Sequence, residues 1–137
     1  MVIAPEDNIP LSEVIRICKT IKNDNIEIAK DPIQRPKTCA FIEKYELLDE
    51  DIKDIIHNLS IGDYHSGPVE DDNANYKRPL WIFIKYVDNI HLEVYIKIKI
   101  INNKRKVFVL SIHEEGLYWW KKAKERIVKF VMTMLAS

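Results

Sequence analysis

Apolar residues in the first part of the chain recur at the three- and four-residue intervals that are typical of amphipathic helices. Residues 10–22 carry one such stripe. Thr38 is predicted to cap a second, short helix, and Asp49 is predicted to cap a third. The pattern therefore predicts a helical front over residues 1–59.

Neither helical nor strand periodicity is visible in residues 60–79, where glycine, proline and acidic residues predict a long loop. The period changes to two over residues 80–113, which predicts a three-stranded antiparallel meander. Helical spacing returns over residues 117–135. We therefore expect a single α+β domain, in which N-terminal helices pack on one face of an antiparallel sheet and a C-terminal helix is added.

Side chains alternate across a strand, so the sequence alone divides the predicted meander into two faces. One face is apolar and is the predicted core, comprising Ile82, Ile84, Val94, Ile96, Ile98, Ile100, Phe108, Leu110 and Ile112. The opposite face combines aromatic, cationic, hydroxyl and imidazole groups with two valines, and it comprises Trp81, Phe83, Lys85, Tyr95, Lys97, Lys99, Val107, Val109, Ser111 and His113.

The charge of the chain is balanced in total but not in distribution. The 137 residues include 21 basic and 21 acidic side chains. Residues 1–72 hold 8 basic and 16 acidic side chains, whereas residues 73–137 hold 13 basic and 5 acidic ones. This asymmetry indicates an anionic partner on one surface, so the balanced total is not evidence against nucleic-acid binding.

The remaining composition is typical of a soluble globular protein without a cofactor. The apolar run over residues 94–101 is too short to span a bilayer, and residues 1–10 lack the pattern of a signal peptide. Cys18 and Cys39 form no metal-ligand spacing, which fits a reducing cytoplasm. No metal is implied either, because the histidines lie on different predicted elements: His57, His65, His91 and His113.

This opposite face of the predicted meander can supply the groups that metal-independent cleavage of RNA requires. His113 is the candidate general base or acid, because imidazole is well suited to proton transfer near neutral pH. Tyr95 is the candidate hydrogen-bond partner or acid. Lys97 is a candidate phosphate ligand in the catalytic centre, and Lys85 is a candidate phosphate ligand beside it.

Other residues of this face are predicted to hold the RNA. Lys99 and Ser111 can contact the backbone, and Trp81 and Phe83 can stack on bases. Single lysines on the wet face of a sheet are common, so the combination carries the prediction. Two alternatives use the same face: a module that binds RNA without cutting it, and a domain that docks an acidic protein partner.

Several motifs in residues 11–115 resemble the MqsR family, the motility quorum-sensing regulator toxins of type II toxin–antitoxin systems. The resemblance is carried by Arg-Pro-Lys at 35–37, by residues 41–45 and 49–59, and by four further motifs. These are Asp-Tyr-x-x-Gly-Pro at 63–68, Trp-x-Phe-x-Lys at 81–85, Val-Tyr-Ile-Lys at 94–97 and Ser-x-His-Glu at 111–114.

The resemblance implies a RelE-like fold and cleavage of messenger RNA without metal, silenced by a cognate antitoxin protein. Of the site residues of the best-known branch, a tyrosine falls on Tyr95 and a lysine falls on His113. A loop lysine falls on Ser66, beside His65, and a glutamine falls on Ile82. His65 is a second candidate for proton transfer, because the predicted loop over residues 62–68 can fold over the sheet.

The tail over residues 117–137 lies outside the resemblance. A helix that docks on the rest of the domain is the favoured interpretation. Attachment to a membrane surface through Trp119, Trp120 and the neighbouring basic residues is a weaker alternative, and oligomerisation is a third.

Overall fold

A five-stranded mixed sheet and a set of N-terminal helices make up the fold of the computed structural model, which describes residues 9–70, 79–101, 103–116 and 131–135. The helices are α1 (Leu11–Thr20), α2 (Pro36–Lys44) and α3 (Asp49–His57), and residues 131–135 are also helical. The strands are β1 (Ile26–Ile28), β2 (Tyr64–Val69), β3 (Leu80–Val87), β4 (Leu92–Ile101) and β5 (Lys106–Glu114). The predicted α+β class is confirmed.

The strands lie in the order β1-β5-β4-β3-β2, with β1 parallel to β5 and all other neighbours antiparallel. The predicted meander is thus the centre of the sheet. The prediction missed both edge strands, β1 inside the helical front and β2 inside the loop over 60–79. Three residues are too few for β1 to show a period, and β2 contains Gly67-Pro68 and two register shifts.

Gly67 of the Asp-Tyr-x-x-Gly-Pro motif has a structural role at this edge. Its φ is +132°, in the region that side-chain-bearing residues rarely adopt, and a Cβ atom there would lie 2.7 Å from the carbonyl oxygen of Leu80. Close pairing of β2 with β3 therefore requires glycine at this position.

The core lies between the helices and one face of the sheet, as predicted. Val14 of α1 and Ile52 of α3 are fully buried with Ile96 and Ile98 of β4. The helical stripes therefore mark the buried faces of their helices, and burial of these side chains is the main favourable contribution to folding. We call the face of the sheet away from this core the open face.

Both predicted helix caps are wrong. Helix α2 begins at Pro36, and Thr38 lies inside it, 2% exposed, where its Oγ1 accepts a hydrogen bond from the backbone N–H of Ile112 at 3.2 Å. Leu48 occupies the N-cap of α3, and Asp51 accepts the N–H of Leu48 at 2.7 Å. Proline is a good first helical residue, and a carboxylate three residues after the cap satisfies a free donor.

The face assignment of β3 is wrong by one residue. Trp81 and Phe83 pair with Ile98 and Ile96 on the core face and are 4% and 0% exposed. Ile82 and Ile84, which were predicted to lie in the core, are instead on the open face opposite Lys97 and Tyr95. Residues 80–84 are all apolar, so alternation could not choose a face, and a shift of one residue exchanges the faces of the whole strand.

The face assignment of β5 is correct only beyond a β-bulge. Ser111 pairs with Lys97, but the next paired residue is Val109, opposite Ile98, so Leu110 is an extra residue. Ser111 and His113 lie on the open face, as predicted. Before the bulge the faces are exchanged: Val107 and Val109 are fully buried on the core face, and Phe108 lies on the open face.

The C-terminal prediction is covered only at its end. Residues 131–135 are helical and exposed, whereas the predicted helix over 117–130 lies outside the described residues. Within the described part of the chain, no helix combines the length and the apolar character that crossing a membrane requires.

Candidate functional site

A cleft of about 440 Å³ opens between the N-terminal end of α2 and the open face of β4 and β5. Two walls form it. The sheet wall consists of Tyr95, Lys97, Ser111 and His113, and the helix wall consists of Gln34, Arg35, Pro36, Lys37 and Thr38.

The sheet wall is built by strand pairing. Tyr95 lies opposite His113, and Lys97 lies opposite Ser111, so four predicted site residues form two adjacent cross-strand pairs. The rings of Tyr95 and His113 stack, with 4.9 Å between centroids and 16° between planes. Register thus brings the imidazole, the phenol and one lysine into one cleft.

A hydrogen bond fixes the orientation of the His113 ring. Nδ1 lies 2.9 Å from the backbone carbonyl oxygen of Glu114. A carbonyl oxygen only accepts, so Nδ1 carries the proton in this hydrogen bond. In the neutral ring Nε2 is then the atom with the free lone pair, which is the form a general base requires.

Burial further favours the neutral form of the Tyr95 phenol. Removal from solvent raises the pKa of the phenol above its ordinary value, because it disfavours the charged phenolate. The phenol is therefore protonated at neutral pH and can donate a hydrogen bond to an anion in the cleft.

The sequence did not assign a site role to the helix wall. Arg35 occupies the N-cap position of α2 and is half-buried, and Lys37 is the second helical residue and is exposed. Both line the cleft opposite Lys97 and Ser111. The Arg-Pro-Lys motif was visible, but only the tertiary structure shows that α2 covers the end of β5.

The described lining of the cleft is cationic. Among the residues that the structure describes, Arg35, Lys37 and Lys97 are the permanent cations of this lining, and none of its members is a carboxylate. A second cleft of about 520 Å³, beside the turn after β3, is lined by four carboxylates and one lysine: Glu46, Asp51, Asp54, Asp88 and Lys85. Of these two clefts, the first is the one suited to an anion.

The structure does not bring Lys85 into the site. Lys85 pairs with Val94 across the strands, on the core face of the sheet. Its ammonium lies 3.4 Å from Oδ2 of Asp63, and both side chains are largely buried. The contact connects β3 to the turn before β2. We therefore assign Lys85 a structural position, which corrects the predicted placement beside Lys97.

Three predicted RNA contacts are also poorly placed for binding. Lys99 lies on the open face but is only 9% exposed, and it does not line the cleft. Trp81 and Phe83 are core residues, so neither can stack on a base. The predicted stacking role of Trp81 and Phe83 is therefore wrong, because the sequence assigned both residues to the wrong face of β3.

His65 lies in β2 at the opposite edge of the sheet from β1. It is exposed, and its Nδ1 is 3.1 Å from Oγ of Ser66. Strands β3 and β4 separate it from β5, which places it about 14 Å from His113 at ordinary strand spacing. His65 is outside the cleft, so the structure does not join the two candidate histidines.

The described residues include no group of three or more His, Cys, Asp or Glu side chains arranged to hold a metal ion. Cys18 and Cys39 are both free thiols, and burial raises the pKa of Cys18 to about 12. Neither lines the cleft. The side chains that line the cleft offer imidazole, phenol, hydroxyl and cationic groups.

Comparison with known protein families and with curated proteins gives no match to this chain.

Proposed function

We propose that the protein is a metal-independent endoribonuclease that cleaves messenger RNA. The observation that carries the proposal is the pairing of Tyr95 with His113, next to Lys97 and Ser111, in a cleft whose described lining contains cations and no carboxylate. A general base, a neutral donor and cations then converge where a phosphodiester can bind.

In the proposed reaction, Nε2 of His113 takes the proton of the ribose 2′-hydroxyl. The 2′-oxygen forms a bond to phosphorus as the bond from phosphorus to the 5′-oxygen breaks. Lys97 stabilises the charge that develops on the phosphoryl oxygens, and the Tyr95 phenol donates its proton to the leaving 5′-oxygen. The products carry a 2′,3′-cyclic phosphate and a 5′-hydroxyl, and proton exchange with solvent restores both side chains.

The biological setting follows from the resemblance to the MqsR family. We propose that the protein is the toxin of a type II toxin–antitoxin system, acts in the cytoplasm and is silenced by an antitoxin protein. Two site residues of the family fall on Tyr95 and His113. These two residues pair across β4 and β5, which supports this proposal. Ile82, onto which the family glutamine falls, also lies on the open face, opposite Lys97.

The function is tested by incubating the pure protein with a long messenger RNA in the presence of EDTA. We expect cleavage, and we expect His113→Ala to lower its rate by about 100-fold or more, because proton transfer contributes factors of this size. Tyr95→Phe keeps the ring and removes the hydroxyl, so it is expected to slow cleavage as well. End-group analysis identifies the cyclic phosphate.

The matched control is His91→Asn. His91 is exposed in the turn before β4 and has φ +55°, a conformation that asparagine tolerates. This variant is expected to cleave at the rate of the unmodified protein. RNA that stays intact, yet binds with a steep salt dependence, would instead establish the non-catalytic RNA-binding alternative.

A further inference from the structure

We propose that the helix wall of the cleft, through Arg35 and Lys37, is a second phosphate subsite for the RNA strand. The inference rests on the proposed function, because it takes the sheet wall as the place of the scissile phosphate. It defines the substrate class more closely: a single strand with at least two consecutive phosphates, held between α2 and the sheet.

The two walls supply cations to the same cleft from independent elements. Lys97 projects from β4, in the middle of the sheet, whereas Arg35 and Lys37 belong to the beginning of α2. Thr38 joins the walls, since its hydroxyl accepts the N–H of Ile112 in the strand that carries His113. An anion at His113 therefore has cations on both sides.

The helix-wall cations have no carboxylate partner among the described residues. Asp31 is close along the chain, but its carboxylate accepts a hydrogen bond from the backbone N–H of Ile33 at 2.9 Å. The backbone N–H of Arg35 donates to the backbone carbonyl of Asp31 at 2.7 Å, which leaves the guanidinium out of this contact. Five other described cations do have a carboxylate partner: Arg16 with Glu13, Lys30 with Asp49, Lys44 with Glu114, Lys85 with Asp63 and Lys106 with Glu27.

Like charges that face one cleft repel each other, and a bound anion relieves that repulsion. Arginine also has the planar donor geometry that matches phosphate oxygens, and the first turn of α2 adds the positive end of a helix dipole. Neighbouring phosphates of one strand can therefore bind opposite walls, one near Lys97 and the next near Arg35.

The size of the cleft selects single-stranded RNA. A cleft of about 440 Å³ is of the size that receives one small ligand or one nucleotide unit, and its walls are one helix and two strands of the sheet. Nucleases and binding proteins that act on splayed nucleotides use unpaired segments of RNA. Paired RNA is expected to enter only where it opens.

The experiment compares two uncleavable probes, a dinucleotide with one phosphate and a trinucleotide with two, both 2′-O-methylated throughout. We expect the unmodified protein to bind the trinucleotide about tenfold more tightly in 0.1 M salt, because a second phosphate contact forms. The variant Arg35→Gln/Lys37→Gln is expected to lose that gain. For the trinucleotide, the slope of log K against log salt concentration is also expected to be shallower in this variant by about 0.7, because one phosphate contact is lost.

The control is Lys19→Gln/Lys22→Gln, which removes the same charge from two exposed lysines on and after α1, outside the cleft. It is expected to keep the gain. The inference is overturned if the Arg35→Gln/Lys37→Gln variant keeps the gain, or if both double variants lose it equally. Circular dichroism of each variant verifies that it is folded.

A parallel assay with cleavable RNA separates the two proposals. If the unmodified protein cuts RNA and the helix-wall variant retains the second-phosphate gain, the subsite is wrong and the endonuclease stands. If no RNA is cut but the gain exists and requires Arg35 and Lys37, the subsite stands and the endonuclease fails. Absence of binding and of cleavage overturns both.

Discussion

At the scale of single residues, Glu114 accepts hydrogen bonds through both its backbone and its side chain. Its backbone carbonyl accepts from the His113 ring, and its carboxylate Oε1 accepts from the Tyr45 hydroxyl at 2.6 Å and from the Lys44 ammonium at 2.9 Å. The C-terminal end of α2 is thereby attached to the end of β5. The hydrogen bond from Tyr45, followed by that from Lys44, holds the pKa of Glu114 below its ordinary value.

This lowered pKa predicts a pH-dependent contribution to stability. The contribution is fully present above the pKa that Glu114 has in the unfolded chain and is lost as pH falls through its lower value in the folded protein. Glu114→Gln is therefore expected to lower the free energy of unfolding more at pH 7 than at pH 3, measured by urea denaturation.

Glu43→Gln is the control for this prediction, because Glu43 lies exposed on α2. It is expected to change stability little at either pH. If Glu114→Gln lowers the free energy of unfolding equally at pH 7 and pH 3, the assigned role of the Lys44–Glu114 ion pair is contradicted.

At the scale of elements, the position of α2 decides whether a cleft exists. Pairing of β1 with β5 ends at Ile28 and Val109, and Ala29 donates to the carbonyl of Val109. Beyond that point Thr38 of α2 takes the place of a strand and accepts the N–H of Ile112. The short length of β1 therefore leaves room for α2 next to Ser111 and His113.

Thr38→Val tests this arrangement. Valine has nearly the same shape but cannot accept the buried N–H of Ile112, so we expect a loss of about 1–3 kcal/mol in the free energy of unfolding. Thr38→Ser keeps the hydroxyl and is expected to be the more stable of the two variants. A Thr38→Val variant as stable in urea denaturation as the unmodified protein would show that the hydrogen bond contributes nothing.

At the scale of the whole molecule, a net charge of zero coexists with a cationic cleft. The acidic first half of the sequence supplies α1, α3 and the ion-pair partners of several lysines, yet it also supplies Arg35 and Lys37. The basic second half supplies Lys97. The site thus draws its charge from both halves, which the simple division of the chain did not suggest.

The whole-molecule charge distribution predicts how RNA binding depends on salt. With one phosphate bound at Lys97 and the next at Arg35 and Lys37, log K for an uncleavable single-stranded RNA is expected to fall with log salt concentration with a slope of about −1.4. Fluorescence anisotropy across a salt series measures the slope. Affinity independent of salt would show that the cations do not contact phosphates.

The sequence by itself determined the α+β class, the buried faces of α1 and α3 and the placement of Tyr95 and Lys97. The reason is that β4 alternates strictly between apolar and polar residues, and the helical stripes are equally regular. Local periodicity carries such information whenever one face of an element is wet and the other is dry.

Only the tertiary structure decided the faces of β3, the bulge at Leu110 and the edge strands β1 and β2. An all-apolar strand has no preferred face until its neighbours fix the register, and a bulge shifts the alternation by one residue. The sequence also could not predict the helix wall, because no local pattern relates Arg35 to Lys97. Their proximity results from α2 completing the exposed edge of β5 where β1 ends.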